Sequence, residues 1–182
     1  LAQRSADLEA RSARVEELEA LLAAREKAAE VLRKRLQNAL LGFEGNGLSV
    51  EQRDGKVYVS LEAALLFASG SAVVDAGGRE LLKKLGDVIA TQTDLEIVIE
   101  GHTDTDNLKS PNIPRNNWEL SVIRATSVLE IIMGQPGVDP SILTASGRGQ
   151  YHPVDSDDKS KNRRIEIILA PRLDDLFDLL KE

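Results

Sequence analysis

The first 41 residues contain neither glycine nor proline. They are rich in Ala, Leu, Glu and Arg, which all favour helix, so one long helix is expected here. Leu1, Leu8, Val15, Leu22, Ala29, Leu36 and Phe43 recur at a spacing of seven. The companion row, Arg4, Arg11, Leu18, Arg25, Leu32 and Ala39, is half polar. Eight basic and seven acidic side chains lie between Leu1 and Leu36. A sustained seven-residue apolar repeat with mixed flanking charge reads as a coiled coil, which predicts a homodimer through this segment. A single amphipathic helix packed on its own domain is the alternative. Gly42, Gly45 and Gly47 end the helix.

The pattern then changes in kind. Residues 48–53 (LSVEQR) and 56–61 (KVYVSL) alternate apolar and polar around Asp54-Gly55, a hairpin signal. Residues 63–67 (AALLF) lead into a small-residue stretch, Ala68 to Ala72. Asp75 is placed to cap a helix running to about Ala90, with Leu81, Leu82, Leu85, Val88 and Ile89 as its buried face. A strand is expected over 95–100 (LEIVIE) and a polar loop over 101–116. A second helix is expected from Asn117 to Met133, burying Leu120, Ile123, Val128, Leu129, Ile131 and Ile132. Short strands near 142–146 and 164–169 and a tail helix over 172–181 complete the chain. The order β-β-β-α-β-α-β-β-α points to an α+β fold, a two-layer sandwich of a mixed β-sheet with helices on one face, preceded by the long helix. The expected organisation is helix over 1–41, linker and first hairpin strand over 42–56, a globular domain over 57–171 and a tail helix over 172–182.

Charge and composition narrow the function. The chain carries 23 Lys+Arg against 30 Asp+Glu, a net charge of -7, with no basic cluster, so nucleic acid is excluded as a partner. It has no cysteine and only two histidines, His102 and His152, which removes thiolate chemistry and poly-histidine metal sites. Asp104-Thr105-Asp106-Asn107 lacks the central glycine and distal glutamate of a calcium loop; no metal or other cofactor is implied. No apolar run reaches the about 20 residues that a membrane span needs. The chain opens on Leu1 rather than Met, as a fragment would.

The loop after the 95–100 strand concentrates polar groups, Gly101-His102-Thr103-Asp104-Thr105-Asp106, where a strand end meets a helix start, a common ligand-site geometry. Arg124 lies in the second turn of the following helix. Asp104 and Arg124 side by side fit a zwitterion: the carboxylate takes an ammonium, and the guanidinium fork takes a carboxylate. A plain Asp104–Arg124 salt bridge fits the same spacing equally well.

Gly-His-Thr-Asp at 101–104, Asn117-x-x-Leu120-Ser121-x-x-Arg124-Ala125, Gly147-x-Gly149, Pro153 and Asn162-Arg163-Arg164-Ile165-Glu166-Ile167 together resemble the OmpA-like domain, the peptidoglycan-binding domain of the OmpA/MotB family. The similarity runs over about residues 57–170 and includes Phe67-Ala68-Ser69-Gly70-Ser71-Ala72. It implies a non-enzymatic periplasmic domain that binds the diaminopimelate of the peptidoglycan stem peptide. Carried over by position, Asp104 corresponds to the ammonium-binding residue and Arg124 to the carboxylate-binding one. Thr103, Asn117 and Leu120 correspond to pocket-lining positions, and Arg163 to a further basic residue near the ligand. Asn162 is expected to order its loop, Ser121 to cap or pack, and His102 to be structural. The twelve residues between Asp104 and Asn117 and the Asn-Trp-Glu-Leu-Ser run resemble the MotB-type branch. A passive wall anchor and the wall-fixing part of an ion-driven stator are thus the leading functions. A wall hydrolase and a bare scaffold stand behind them.

Overall fold

The computed structural model describes residues 2–43, 47–92, 94–108 and 110–172. Helix α1 spans Ala2–Ala39. The hairpin follows as β1 (Leu48–Arg53) and β2 (Lys56–Glu62). Asp54 and Gly55 at its tip have φ of 51° and 66°, the left-handed pair that a two-residue turn matching strand twist requires. Helix α2 (Ala76–Ile89) is capped by Asp75, whose side chain accepts from the Gly78 N–H, a donor that otherwise has no partner within the helix. Then come β3 (Leu95–His102), α3 (Asn117–Met133), β4 (Leu143–Gly149), the single turn α4 (Lys159–Asn162) and β5 (Arg164–Pro171).

The strands form one mixed five-stranded sheet in the order β1-β2-β5-β3-β4. Only β3 and β4 run parallel, joined across α3; the other neighbours are antiparallel. Alternation along the strands sends Val57, Val59, Leu61, Ile97, Ile99, Ile165, Ile167 and Leu169 to one face, all essentially inaccessible to solvent. Helices α1, α2 and α3 cover that face. The expected α+β sandwich with helices on one side of a mixed sheet is the fold observed.

Three details differ from expectation. The third strand of the anticipated order is absent: Ala63–Leu65 make a 3-10 turn, and only Phe67 bridges to Val74. Two alanines give little side chain to pack on a pleated surface, while Leu66 and Phe67 plunge into the core. Strand β3 runs on through Gly101 and His102. In α3, Ile123, Leu129 and Ile131 are half-buried, whereas Ser121, Arg124 and Ala125 are buried. The tail helix expected over 172–181 falls, after Arg172, outside the described residues, as does the helix-ending Gly45.

Helix α1 divides along its length. Ala29, Leu32, Leu36 and Leu40 are buried in the same core as the sheet, so its second half packs on its own domain. Gln52 Nε2 reinforces this contact, donating to the Glu26 backbone carbonyl at 3.1 Å and to its carboxylate at 2.7 Å. Upstream, no residue from 3 to 28 is buried. There the seven-residue row lies open, with Leu8, Val15 and Leu22 exposed by 68%, 52% and 49%.

Candidate functional site

The close approach of α3 to the sheet sets the site. Gly101 and Gly147 stand on the parallel neighbours β3 and β4 beneath Ser121. A Cβ on Gly101 would overlap the Ser121 carbonyl, and one on Gly147 would sit 2.6 Å from Val122 Cγ2. Without side chains there, the helix settles onto the strand ends. Ser121 Oγ then donates to the Trp118 carbonyl and accepts from the Gly149 N–H at 3.1 Å. Its expected packing role is met by these two bonds. The helix start is fixed by Asn116, whose side chain accepts from the Glu119 N–H at 2.9 Å. Glu119 reaches back to the Arg115 N–H and guanidinium, a reciprocal cap whose hydrogen bonds lower the Glu119 carboxyl below its usual range.

A cleft of about 440 Å³ opens at this end of the sheet. The 63–70 segment, the loop after β3, α3 and Arg163 wall it. Thr103, Asp104, Asn117, Leu120, Arg124 and Arg163 all line it, so the structure brings together every candidate site residue read from the sequence. The pairing differs from the simplest expectation. Among the described residues Asp104 makes its ion pair with Arg163, Nη1 to Oδ2 at 2.6 Å, and not with Arg124. Its other oxygen accepts from the Asp106 N–H at 2.9 Å. The carboxylate is buried, while its arginine partner is nearly half exposed.

Arg124 is held differently. Its Nε donates to the Ser71 carbonyl at 2.9 Å, and the guanidinium lies 4.9 Å from the Phe67 ring centroid. Among the described residues its two terminal nitrogens meet no acceptor within hydrogen-bond distance. Burial, then the neighbouring Arg163, lower its pKa from the usual arginine value, and Asp104 opposes them. Sequence reasoning did not assign Phe67 and Ser71 this role. The available signal was an arginine on the core side of a helix, which needs a carbonyl and an aromatic face when desolvated.

Asn117 ties the walls together. Its amide donates to the Asp104 and Asp106 carbonyls at 3.3 and 3.0 Å and to Gln150 Oε1 at 2.8 Å. The Thr103 N–H donates to the Gly149 carbonyl at 2.9 Å. Lys159 pairs with Asp106 at 2.6 Å across the mouth. Asn162 orders its loop as expected: Oδ1 accepts from the Val154 and Asp155 N–H groups, and Nδ2 donates to the Asp155 carbonyl. Lys109, within the long loop, lies outside the described residues.

His102 points to the opposite face of the sheet, away from the cleft. It is buried beside Glu100, with Nε2 3.7 Å from Oε2, and edge-on to His152. Glu100 is gripped by Arg148 at 2.9 and 3.0 Å, and Arg164 pairs with Glu166 at 2.7 Å. Among the described residues neither ring nitrogen of His102 has a hydrogen-bond partner. Burial first, and Arg164 second, push its pKa down to about 4, so it is neutral at pH 7.

The fold is that of a known family. The sequence profile of the OmpA family matches residues 66–166, more than half of the chain, and takes in Thr103, Asp104, Asn117, Leu120, Arg124 and Arg163. The chain belongs to the OmpA family. Motility protein B of Bacillus subtilis (strain 168) is 31% identical over 118 residues, which are 63% of this chain and 45% of that protein. This OmpA-family chain therefore spans about half the length of the curated relatives it matches. Among solved structures, a putative MotB-like protein from Desulfovibrio vulgaris superposes with a TM-score of 0.74 at 26% identity, covering 85% of this chain and 98% of that one. The cell wall anchor of the T6SS from Pseudomonas aeruginosa superposes with a TM-score of 0.65 at 27% identity, covering 77% and 99%. Among the described residues no helix is long and apolar enough to cross a membrane.

Proposed function

We propose that this OmpA-family domain binds the diaminopimelate of peptidoglycan stem peptides and fastens a membrane-anchored parent protein to the cell wall from the periplasmic side. One observation carries the proposal: the cleft presents a buried carboxylate and, separately, a buried guanidinium whose two terminal nitrogens take no acceptor among the described residues. Those are complementary charges for the two ends of a zwitterion. An arriving ammonium replaces Arg163 on Asp104 or joins it there. A carboxylate accepts from the Arg124 fork, already oriented by Ser71 and Phe67. The Pseudomonas relative, described as a cell wall anchor, supports the assignment. The chemistry is binding, with no bond broken.

The test is calorimetry with stem peptides that differ only in carrying meso-diaminopimelate, its side-chain amide or lysine. They should bind in that order, because a lysine-type stem leaves the guanidinium desolvated and unpaired, at a cost of about 1–3 kcal/mol. Equal affinity for diaminopimelate and lysine would overturn the assignment of Arg124. In parallel, isolated sacculi should retain the wild-type chain and not Asp104→Ala, and incubation should release no wall fragments.

The identity with motility protein B favours a second reading of the parent: the wall-fixing part of an ion-driven stator. A single span with an embedded acidic residue in the parent sequence would support it. In either case the exposed row Leu8, Val15 and Leu22 pairs two copies of α1.

A further inference from the structure

The chain has one tryptophan and two tyrosines, and its core is built mainly from aliphatic side chains, with Phe67 among them. Trp118 is nevertheless half exposed, at 50%, and Tyr151 is 62% exposed. The two rings stack on one another, with centroids 5.4 Å apart and planes 29° from parallel. Large aromatic surfaces left in water next to a cleft mark a binding face more often than a structural one.

The pair is a built feature. Gly149 turns the chain with φ of +57°, and a Cβ there would lie 3.4 Å from Trp118 and 3.6 Å from Tyr151. Its N–H is held by Ser121 and its carbonyl by Thr103. Neither ring lines the cleft, but each follows a residue tied to its rim. Asn117, which lines the cleft, precedes Trp118; Gln150, bonded to Asn117 at 2.8 Å, precedes Tyr151.

We propose that Trp118 and Tyr151 form a saccharide platform that takes the sugar backbone of the same wall strand whose peptide enters the cleft. This rests on the peptidoglycan reading of the cleft and extends it to the glycan. The faces of sugar rings carry C–H groups of slight positive charge, which settle on the negative faces of aromatic rings while the hydroxyls keep their water. An uncharged sugar needs no ion pair, and the exposed rings offer none. The stem peptide is covalently linked to the sugar, so a strand held by its stem at the cleft brings its sugars to this rim.

Trp118 is the sole tryptophan, so its emission reports on this platform. The full chain is titrated with peptide-free glycan strands of alternating N-acetylglucosamine and N-acetylmuramate whose carboxylates are capped as amides, so that the probe is uncharged. A saturable change in emission is expected, lost in Tyr151→Ala and kept in Tyr151→Phe. A disaccharide-linked stem peptide should also bind about five- to tenfold more tightly than the same peptide without sugar, a preference that Tyr151→Ala removes. If the sugar-free peptide binds while glycan neither moves the emission nor adds affinity, the platform is overturned and the cleft assignment stands. In that case the exposed rings serve a protein contact. If glycan moves the emission while the sugar-free peptide fails to bind, the platform stands and the cleft assignment falls.

Discussion

Arg124 is fixed by its Nε and by the ring beneath it, which leaves its fork for a ligand. Truncating one side of a buried charge contact typically costs about 2–5 kcal/mol of binding. Arg124→Ala should therefore abolish wall retention while far-ultraviolet circular dichroism stays native. Arg124→Lys should fail as well, since an ammonium cannot donate two parallel bonds and loses the stacked plane; full binding by the lysine variant would sink the bidentate assignment. His102 makes a separate prediction about stability. Its folded pKa is about 4 against a reference of 6.5, so between those values the unfolded chain binds more protons than the folded one. Stability must then fall as pH drops through 6.5 toward 4, by about 2 kcal/mol at pH 5 from this group. Melting scans at pH 7 and pH 5 should show a smaller drop for His102→Gln than for wild type. The charged groups facing the ring are Glu100 from β3, Arg148 from β4, and Arg164 and Glu166 from β5, with the His152 ring edge-on to it.

The elements meet through what their side chains omit. Gly101→Ala would place a methyl group against the Ser121 backbone carbonyl, and backbone cannot swing aside as a flexible side chain does. Overpacking of this kind costs about 1–3 kcal/mol. The variant should melt lower and also bind diaminopimelate less well, because the displaced helix carries Leu120 and Arg124; unchanged affinity would show that the cleft tolerates the shift. Much of this layer was legible in the sequence. Asp54-Gly55, Asp75 and the 117–133 pattern are local signals, and each element they announce lies where its residues place it. The membership of the cleft was legible through separated motifs. The pairing inside it was not: Arg163 reaches Asp104 across 59 positions of chain, and spacing along a sequence carries no such distance. The burial of Ser121 and Arg124 escaped a reading by hydrophobicity because both are polar groups anchored on backbone carbonyls, Ser121 through Oγ and Arg124 through Nε, which only the assembled fold supplies. The supposed strand at 63–67 failed for the related reason that an apolar run of that length does not declare its periodicity.

At the scale of the molecule, α1 is one continuous helix with two environments. An amphipathic stripe left in water does not stabilise a helix of this length, so Leu8, Val15 and Leu22 should bury against a second copy. Light scattering should give a dimer for the wild-type chain and a monomer for Leu8→Asp/Val15→Asp/Leu22→Asp, with the cleft affinity of each subunit unchanged. A monomeric wild type would overturn the pairing. Truncation near Gly47 would be a poor substitute, since it strips Leu32, Leu36 and Leu40 from the core. The undocked residues 2–24 form an arm about 35 Å long, continuous with the docked stretch that runs from Arg25 against Gly55 to Leu40. Mechanically that is a lap joint. Tension drawn along the helix axis loads the Glu26–Gln52 contact and the four buried apolar side chains together in shear, whereas a crosswise pull would peel them one at a time. A wall-bound domain joined in this way transmits a lengthwise tug to its core as a single bonded strip.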